Sequence, residues 1–361
     1  MKKFFRPLVL ALIILFIFAC VSIDLTYDPA DRRGSNSGVS SITQAQAGKI
    51  TIYTSMYGDV VENIHKALSS YFPNYHIEFT YGGTGLIQAT IEQQVAEGSR
   101  LGCDILMIAE PSYSMELKEK GMLHPYRSKE ASNLVFDYDP QGYWYPVRVS
   151  AMVLAYNPDR TPRNTIPDSF YAFAYDQSLR GAVSMSSPIT SGTSLASVSA
   201  LRDKYGYGYF DALGRQNVHI DSGSVALQKL EAGEYKMVMI LEETVLKARA
   251  EEGSKIEIIY PSDGAIVIPS TIVIVNDKWN ANMNAKIAEE IADWFLSAQG
   301  QNAIVMGWMH SVIKDDRVPY HSIPTSEIVA NSMPVSWENL INDREEIRSA
   351  FEEDVIYRRA N

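Results

Sequence analysis

The chain is 361 residues long, enough for two domains with separate cores. Its 46% apolar and 21% charged residues are those of a soluble globular protein and exclude a disordered or fibrous one. The formal net charge of −11, with no basic cluster, argues against nucleic acid as a partner, so any bound anion must be held locally, by helix ends and one or two arginines.

The N-terminus stands apart. Lys2, Lys3 and Arg6 precede an unbroken apolar run, Leu8–Ala19, too short to span a bilayer as a mature helix, so residues 1–19 read as an export signal. The signal ends Ile17-Phe18-Ala19-Cys20 and resembles that of a bacterial lipoprotein, which implies that Cys20 is lipidated and heads the mature chain. After Cys20, the stretch to residue 47 is rich in Ser, Gly, Gln and Asp and reads as a flexible tether. Loss of Lys2, Lys3 and Arg6 would leave the mature chain more acidic still. With Cys20 lipidated no disulfide can form, and Cys103, opening the apolar run to Ile108, reads as a small buried residue.

From Lys49 strands and helices alternate. Ile50, Ile52 and Tyr53 predict a strand, Thr54–Gly58 a turn, and Val60, Val61, Ile64, Leu68 and Phe72 one face of a helix. His76–Tyr81 predicts a second strand, Gly82–Gly85 a second turn, and Ile87, Ile91 and Val95 a second helix. A strand at Ile105–Ile108 and a helix at Ser112–Lys120 complete this unit. Tyr143–Asn157 is long, extended and rich in aromatics, and Pro158 ends it. The alternation then restarts with a helix at Ser169–Tyr175, strands at Val183–Met185, Val218–Ile220 and Met237–Leu241, and helices at Ser224–Glu231 and Glu242–Glu251. A second long extended stretch, Ile256–Val275, leads to amphipathic helices within 281–306 and 336–351.

Such alternation predicts mainly parallel sheets covered by helices on both faces, with ligands beyond the carboxyl ends of the strands. Two α/β units joined by two extended stretches predict two lobes on a two-strand hinge, with a cleft between them. The expected partition is residues 48–147 plus 266–320 for one lobe, 148–265 for the other, and 321–361 as C-terminal helices packing on the lobes. The stretch that organises this reading is Val183–Gly206. A short strand gives way to a Pro188 turn and then to Ser191-Gly192-Thr193-Ser194 at the mouth of a helix that Gly206 stops. Free N–H groups and partial positive charge there suit an oxyanion, although an ordinary Ser/Thr N-cap has the same residues.

Four stretches carry a family resemblance: Ile50–Gly58 (ITIYTSMYG), the Ser191-Gly192-Thr193 helix start, Ser224–Glu234 (SVALQKLEAGE) and Tyr260–Gly264 (YPSDG). Over about Lys49 to Trp308 the chain resembles the periplasmic solute-binding proteins of ABC importers. The likeness is to the type II branch that takes ferric ion, phosphonates and sugar phosphates. This implies a two-lobed type II binding-protein fold, no enzymatic activity and no cofactor. It also implies a monomer in the periplasm or cell envelope, anchored to the membrane through Cys20, with an inner-membrane ABC permease as partner. Ferric binders of the branch carry adjacent tyrosines just after the apolar strand at 237–241, and this chain has Glu242-Glu243-Thr244 there. Its sugar-phosphate binders use an acidic residue there to take hydrogen bonds from ligand hydroxyls.

The expected ligand is therefore a small anionic organophosphate or phosphonate, a sugar phosphate foremost, with ferric iron as the alternative. The candidate phosphate groups are the hydroxyls of Ser55, Thr84, Ser191, Thr193 and Ser194 and the backbone N–H groups of Gly83, Gly85 and Gly192. Arg148, in the first extended stretch, suits a bidentate phosphate contact or a hinge salt bridge. His219, Asp221 and Glu242 stand at strand ends of the second unit, where they would meet sugar hydroxyls or an ammonium, or simply start helices. The six histidines include no close pair with metal spacing. A serine hydrolase is a remote third reading, because Gly192-Thr193-Ser194-Leu195-Ala196 resembles a nucleophile elbow. Against it, Ser186–Thr190 separates strand from helix, and no His/Asp partners follow in order.

Overall fold

The computed structural model describes residues 48–280, 283–315 and 317–358, so the expected export signal, Cys20 and tether lie outside the described residues. The first half runs β1 (Gly48–Thr54), α1 (Gly58–Tyr71), β2 (Tyr75–Tyr81), α2 (Thr84–Ala96), β3 (Ile105–Ala109) and α3 (Ser112–Glu119). The long strand β4 (Tyr145–Tyr156) crosses to the second half. That half runs α4 (Phe170–Tyr175), β5 (Val183–Met185), α5 (Gly192–Tyr205), α6 (Gly208–Arg215), β6 (His219–Ile220), α7 (Gly223–Ala232), β7 (Met237–Leu241), α8 (Glu242–Lys247) and β8 (Glu257–Ile259). The strand β9 (Ala265–Ile274) returns to α9 (Ala285–Leu296) and α10 (Ala298–Met306). The chain then continues through α11 (Thr325–Ala330), β10 (Ser332–Met333) and α12 (Trp337–Phe351). Helix α6 and the short β10 were not expected from the sequence, while α11 falls in the stretch 321–361 expected as C-terminal helices.

Local chemistry accounts for the elements that frame the cleft. In α1, Val60, Val61, Ile64 and Leu68 recur at helical spacing and are buried against the sheet. In α5 every residue from Gly192 to Leu201 is buried, so this helix lies inside the second half rather than on its surface. It ends at Gly206, whose φ of 75° is the left-handed conformation that side chains other than glycine's resist.

The strands form one continuous path, β2-β1-β3-β9-β4-β7-β5-β6, with β10 on β9 and β8 on β4. The two mainly parallel sheets expected from the sequence are thus joined edge to edge, because β9 pairs antiparallel with both β3 and β4, and β4 pairs antiparallel with β7. The cores still sort into halves. Val147 and Val149 of β4 and Ile272 and Ile274 of β9 pack with Ile50, Ile64 and Leu68. Met152 and Leu154 of β4 and Ile266 and Ile268 of β9 pack with Leu195, Val198 and Phe210. The handover therefore falls at Ser150 in β4 and at Pro269–Thr271 in β9. There the β4–β9 ladder is irregular: its register shifts between Pro146 and Arg148, and Val149 faces Pro269, which has no N–H to donate.

Helix α12 buries Leu340, Ile347 and Phe351 in the core of the second half. Its polar edge reaches the first half, where the Arg344 Nη2 donates to Ser112 Oγ at 2.7 Å and the guanidinium pairs with Glu116, while Arg348 donates to Gln88 Oε1 at 3.1 Å. No described helix is long and apolar enough to cross a membrane.

Candidate functional site: a hydroxyl-lined cleft over a buried arginine

Between the halves lies a cleft of about 580 Å³. Helices from both sides begin at its wall: α1 and α2 from the first half, α5 and α7 from the second, with Gly58, Thr84, Gly192 and Gly223 all lining it. No capping side chain hydrogen-bonds the first turns of α1 and α2, whereas Ser191 caps α5 and Ser222 caps α7. Each such terminus contributes a partial positive charge, so the wall favours an anion before any side chain is counted.

The two halves touch across the cleft. The Gly85 N–H donates to the Thr190 carbonyl at 3.2 Å, and a Cβ at Gly85 would sit 2.4 Å from the Ile189 carbonyl oxygen. A Cβ at Gly192 would sit 2.9 Å from Thr84 Oγ1. Only residues without a side chain let the backbones meet this closely.

Arg148 forms the floor. Its side chain is 4% exposed, and its Nη1 donates to Ser150 Oγ at 3.0 Å, with Met309 Sδ at 3.2 Å and Ser55 Oγ at 3.4 Å from the guanidinium. Burial pulls the Arg148 pKa down, and the nearby Glu243 carboxylate counters this; an arginine keeps its charge throughout the accessible pH range. The paired carboxylate, Glu243, lies 3.9 Å away and is bridged to it by Ser150, whose Oγ donates to Glu243 Oε1 at 2.7 Å. Burial pushes the Glu243 carboxyl up, against the lowering by Arg148 and Ser150. Tyr57 lies at the rim of the same group, and burial raises its phenol above the ordinary value.

Eight of the sequence candidates line this cleft: Ser55, Gly83, Thr84, Arg148, Ser191, Gly192, Thr193 and Asp221. The Thr84 hydroxyl is notable: the residue is 2% exposed, and its Oγ1 has no hydrogen-bond partner among the described residues. Ser191 serves both readings weighed for it, since it caps α5 through the Ser194 N–H at 3.2 Å, bonds Thr193 Oγ1 at 3.0 Å, and faces the cleft. Asp221 touches the cleft, but its carboxylate is engaged by Ser184 at 2.9 Å, Lys229 at 2.8 Å and Tyr235 at 2.7 Å. Burial would raise its pKa, and these donors outweigh it and hold the group below the usual carboxylate range.

Four candidates lie elsewhere. The Gly85 N–H is taken by Thr190. Ser194 is fully buried, with Oγ donating to the Ser186 carbonyl at 2.5 Å, which also removes it as a nucleophile. The His219 ring is within 3.2 Å of the Gly181 carbonyl and packs on Tyr235, outside the cleft. Glu242 is fully buried behind the hinge, where it bonds His310 Nε2 at 2.7 Å and Ser322 Oγ at 2.6 Å and also accepts from Tyr260. Burial would raise its pKa, and these partners, His310 foremost, reverse that and hold it low. The acid that faces the cleft is its neighbour, Glu243, which the sequence reading passed over along with Ser150 and Ser222. Adjacent residues in a helix point about 100° apart, so one of the pair faces the cleft and the other the hinge.

Two halves on crossing strands, with a polar cleft between them, make the two-lobed architecture of a periplasmic binding protein. The chain belongs to the bacterial extracellular solute-binding protein family, whose sequence profile matches residues 103–324. This is a family of binding proteins, not enzymes. No curated protein matches the sequence. Among solved structures, the fold is similar to iron-bound HitA from Pseudomonas aeruginosa (TM-score 0.73, 20% identity, covering 85% of this chain and 99% of that one). It is also similar to the periplasmic binding protein AfuA from Actinobacillus pleuropneumoniae with fructose-6-phosphate bound (TM-score 0.74, 18% identity, 86% and 99%). The ferric binding protein from Campylobacter jejuni is a third (TM-score 0.70, 16% identity, 84% and 99%). At these identities the likeness speaks for the fold.

Proposed function

We propose that this solute-binding protein captures a small organic anion bearing a phosphoryl or phosphonyl group, a sugar phosphate foremost, and presents it to an ABC permease. The observation that carries the reading is Arg148. A buried guanidinium at the floor of the cleft has its paired carboxylate at 3.9 Å, beyond direct hydrogen-bond reach, and so retains capacity for a second anion. The unpartnered Thr84 hydroxyl and the four helix starts supply neutral donors around it. Closure would strip water from the oxyanion against dipoles already in place. The lobe partition at 148–265 and lipid attachment at Cys20 belong to the same reading, with Cys20→Ser expected to release the protein from membranes.

Ferric iron is the second reading, supported by the likeness to iron-bound HitA. The electrostatics weigh against it. A hard trivalent cation wants phenolates and carboxylates, whereas burial favours the neutral form of Glu243, and Arg148 places a fixed positive charge beside it. Calorimetry and thermal shift on the mature chain separate the two. Saturable binding of fructose 6-phosphate without a visible charge-transfer band on adding ferric citrate is expected. A coloured ferric complex with no response to any phosphoryl compound would sink the organophosphate reading.

A further inference from the structure

We infer that Glu243 is a proton-accepting counter-ion to Arg148, so that capture of a dianion is accompanied by uptake of one proton from solvent onto the Glu243 carboxylate. The inference rests on the anion reading above and gives that site a selectivity it otherwise lacks. In the cleft, Arg148, Ser150 and Glu243 form one chain, with 3.0 Å from guanidinium to hydroxyl and 2.7 Å from hydroxyl to carboxylate. Arg148 and Glu243 are 4% and 6% exposed, so neither is screened by bulk water.

A dianion seated on Arg148 brings two negative charges beside a buried carboxylate, and like charges in such a site are not held together. The charged and titratable groups facing Glu243 are few. Arg148 approaches from β4, Tyr57 from the loop before α1, and Glu242 precedes it on α8. Glu242 is tied to His310, and Lys247 at the far end of α8 is paired with Asp59. Glu243 is the group here that can shed a negative charge, by taking a proton, which leaves the charge of Arg148 to the incoming dianion. Burial already raises its pKa, and the charge of a seated dianion raises it further. Ser150 can still donate to the protonated form, so the chain of hydrogen bonds survives the change.

The consequence is a pH signature. Above about pH 7 a phosphate monoester is already dianionic, its second pKa being about 6. Any further pH dependence then belongs to the protein. Titrations with fructose 6-phosphate in buffers of different ionisation enthalpy should show net proton uptake approaching one, and the affinity should fall by up to tenfold per unit between pH 7 and 9. Glu243→Gln keeps the acceptor for Ser150 and removes the titration; it should bind without proton uptake, with a flat profile and higher affinity at pH 9. Equal proton uptake in both proteins, or a flat wild-type profile, overturns the inference. If neither fructose 6-phosphate nor any other phosphoryl compound binds, the organophosphate reading fails first. The carboxyl carbon-13 signal of Glu243 then decides the counter-ion role in the ligand-free protein. A titration above the ordinary carboxylate range, moved further up in Arg148→Met, supports it; an ordinary titration, or one indifferent to Arg148, overturns it.

Discussion

At the scale of residues, the cleft is a buried cation surrounded by hydroxyls. Replacing Arg148 by Met keeps the volume and removes the charge; loss of a charge-assisted contact of about 1.5–3 kcal/mol should weaken anion binding roughly 10- to 150-fold, measurable by calorimetry. Asp221 predicts a different effect, on folding. Its pKa is held down by Lys229, Tyr235 and Ser184, so its contribution is present above the unfolded pKa of about 3.9 and is lost as pH falls through the lower folded value. Asp221→Asn should therefore destabilise the protein at pH 7, by about 1–3 kcal/mol, and the gap between the two proteins should close in denaturant melts taken below about pH 4. These two residues also show what a sequence can and cannot tell. Arg148 could be picked because a charged residue in a long apolar strand needs a reason. That the carboxylates of Asp221 and Glu242 are already engaged could not be read, because their partners, Tyr235 and His310, are 14 and 68 positions away along the chain.

Among the elements, periodic strands and helices were legible where one face is apolar, as in α1, or where a glycine stops a helix, as in α5. Helix α6 was missed because glycines stand at 206, 208 and 214, and its amphipathic face, Tyr209, Phe210, Ala212 and Leu213, is made of residues that also suit strands or loops. The joining of the two sheets was also invisible, since pairing of β9 with both β3 and β4 is a long-range fact that no local pattern encodes. Helix α12 is the element whose position has the clearest consequence. It belongs to the second core yet sends Arg344 to Ser112 and Glu116 on α3, beside the fully buried Glu110. Arg344→Met removes this tie without touching the cleft. At about 1–3 kcal/mol lost from the closed form, solute affinity should drop roughly 5- to 150-fold. The ligand-free protein should also scatter X-rays with a larger radius of gyration; unchanged scattering and affinity would show that the contact does not bear on closure.

For the whole molecule, apart from the shared β4–β9 ladder, the halves meet through small polar contacts such as Gly85 to Thr190, Lys247 to Asp59, and the α12 arginines. Interfaces of that kind open readily unless something bridges them. Scattering with and without fructose 6-phosphate should therefore report compaction on binding, and Gly85→Ala, which places a Cβ against the Ile189 carbonyl, should abolish that compaction while leaving the melting temperature within a few degrees. The acidic charge of the chain matters less to capture than the local field, so affinity should respond only modestly to salt.

The shared ladder of β4 and β9 has one last consequence. The same backbone that joins the halves also carries Arg148 and Ser150, at the point where the register slips. On the anion reading, twisting it to part the rims would also turn the guanidinium, so that unlocking and loosening of grip become a single movement. On that same reading, a permease that pries the rims open would eject the cargo without ever having to touch it.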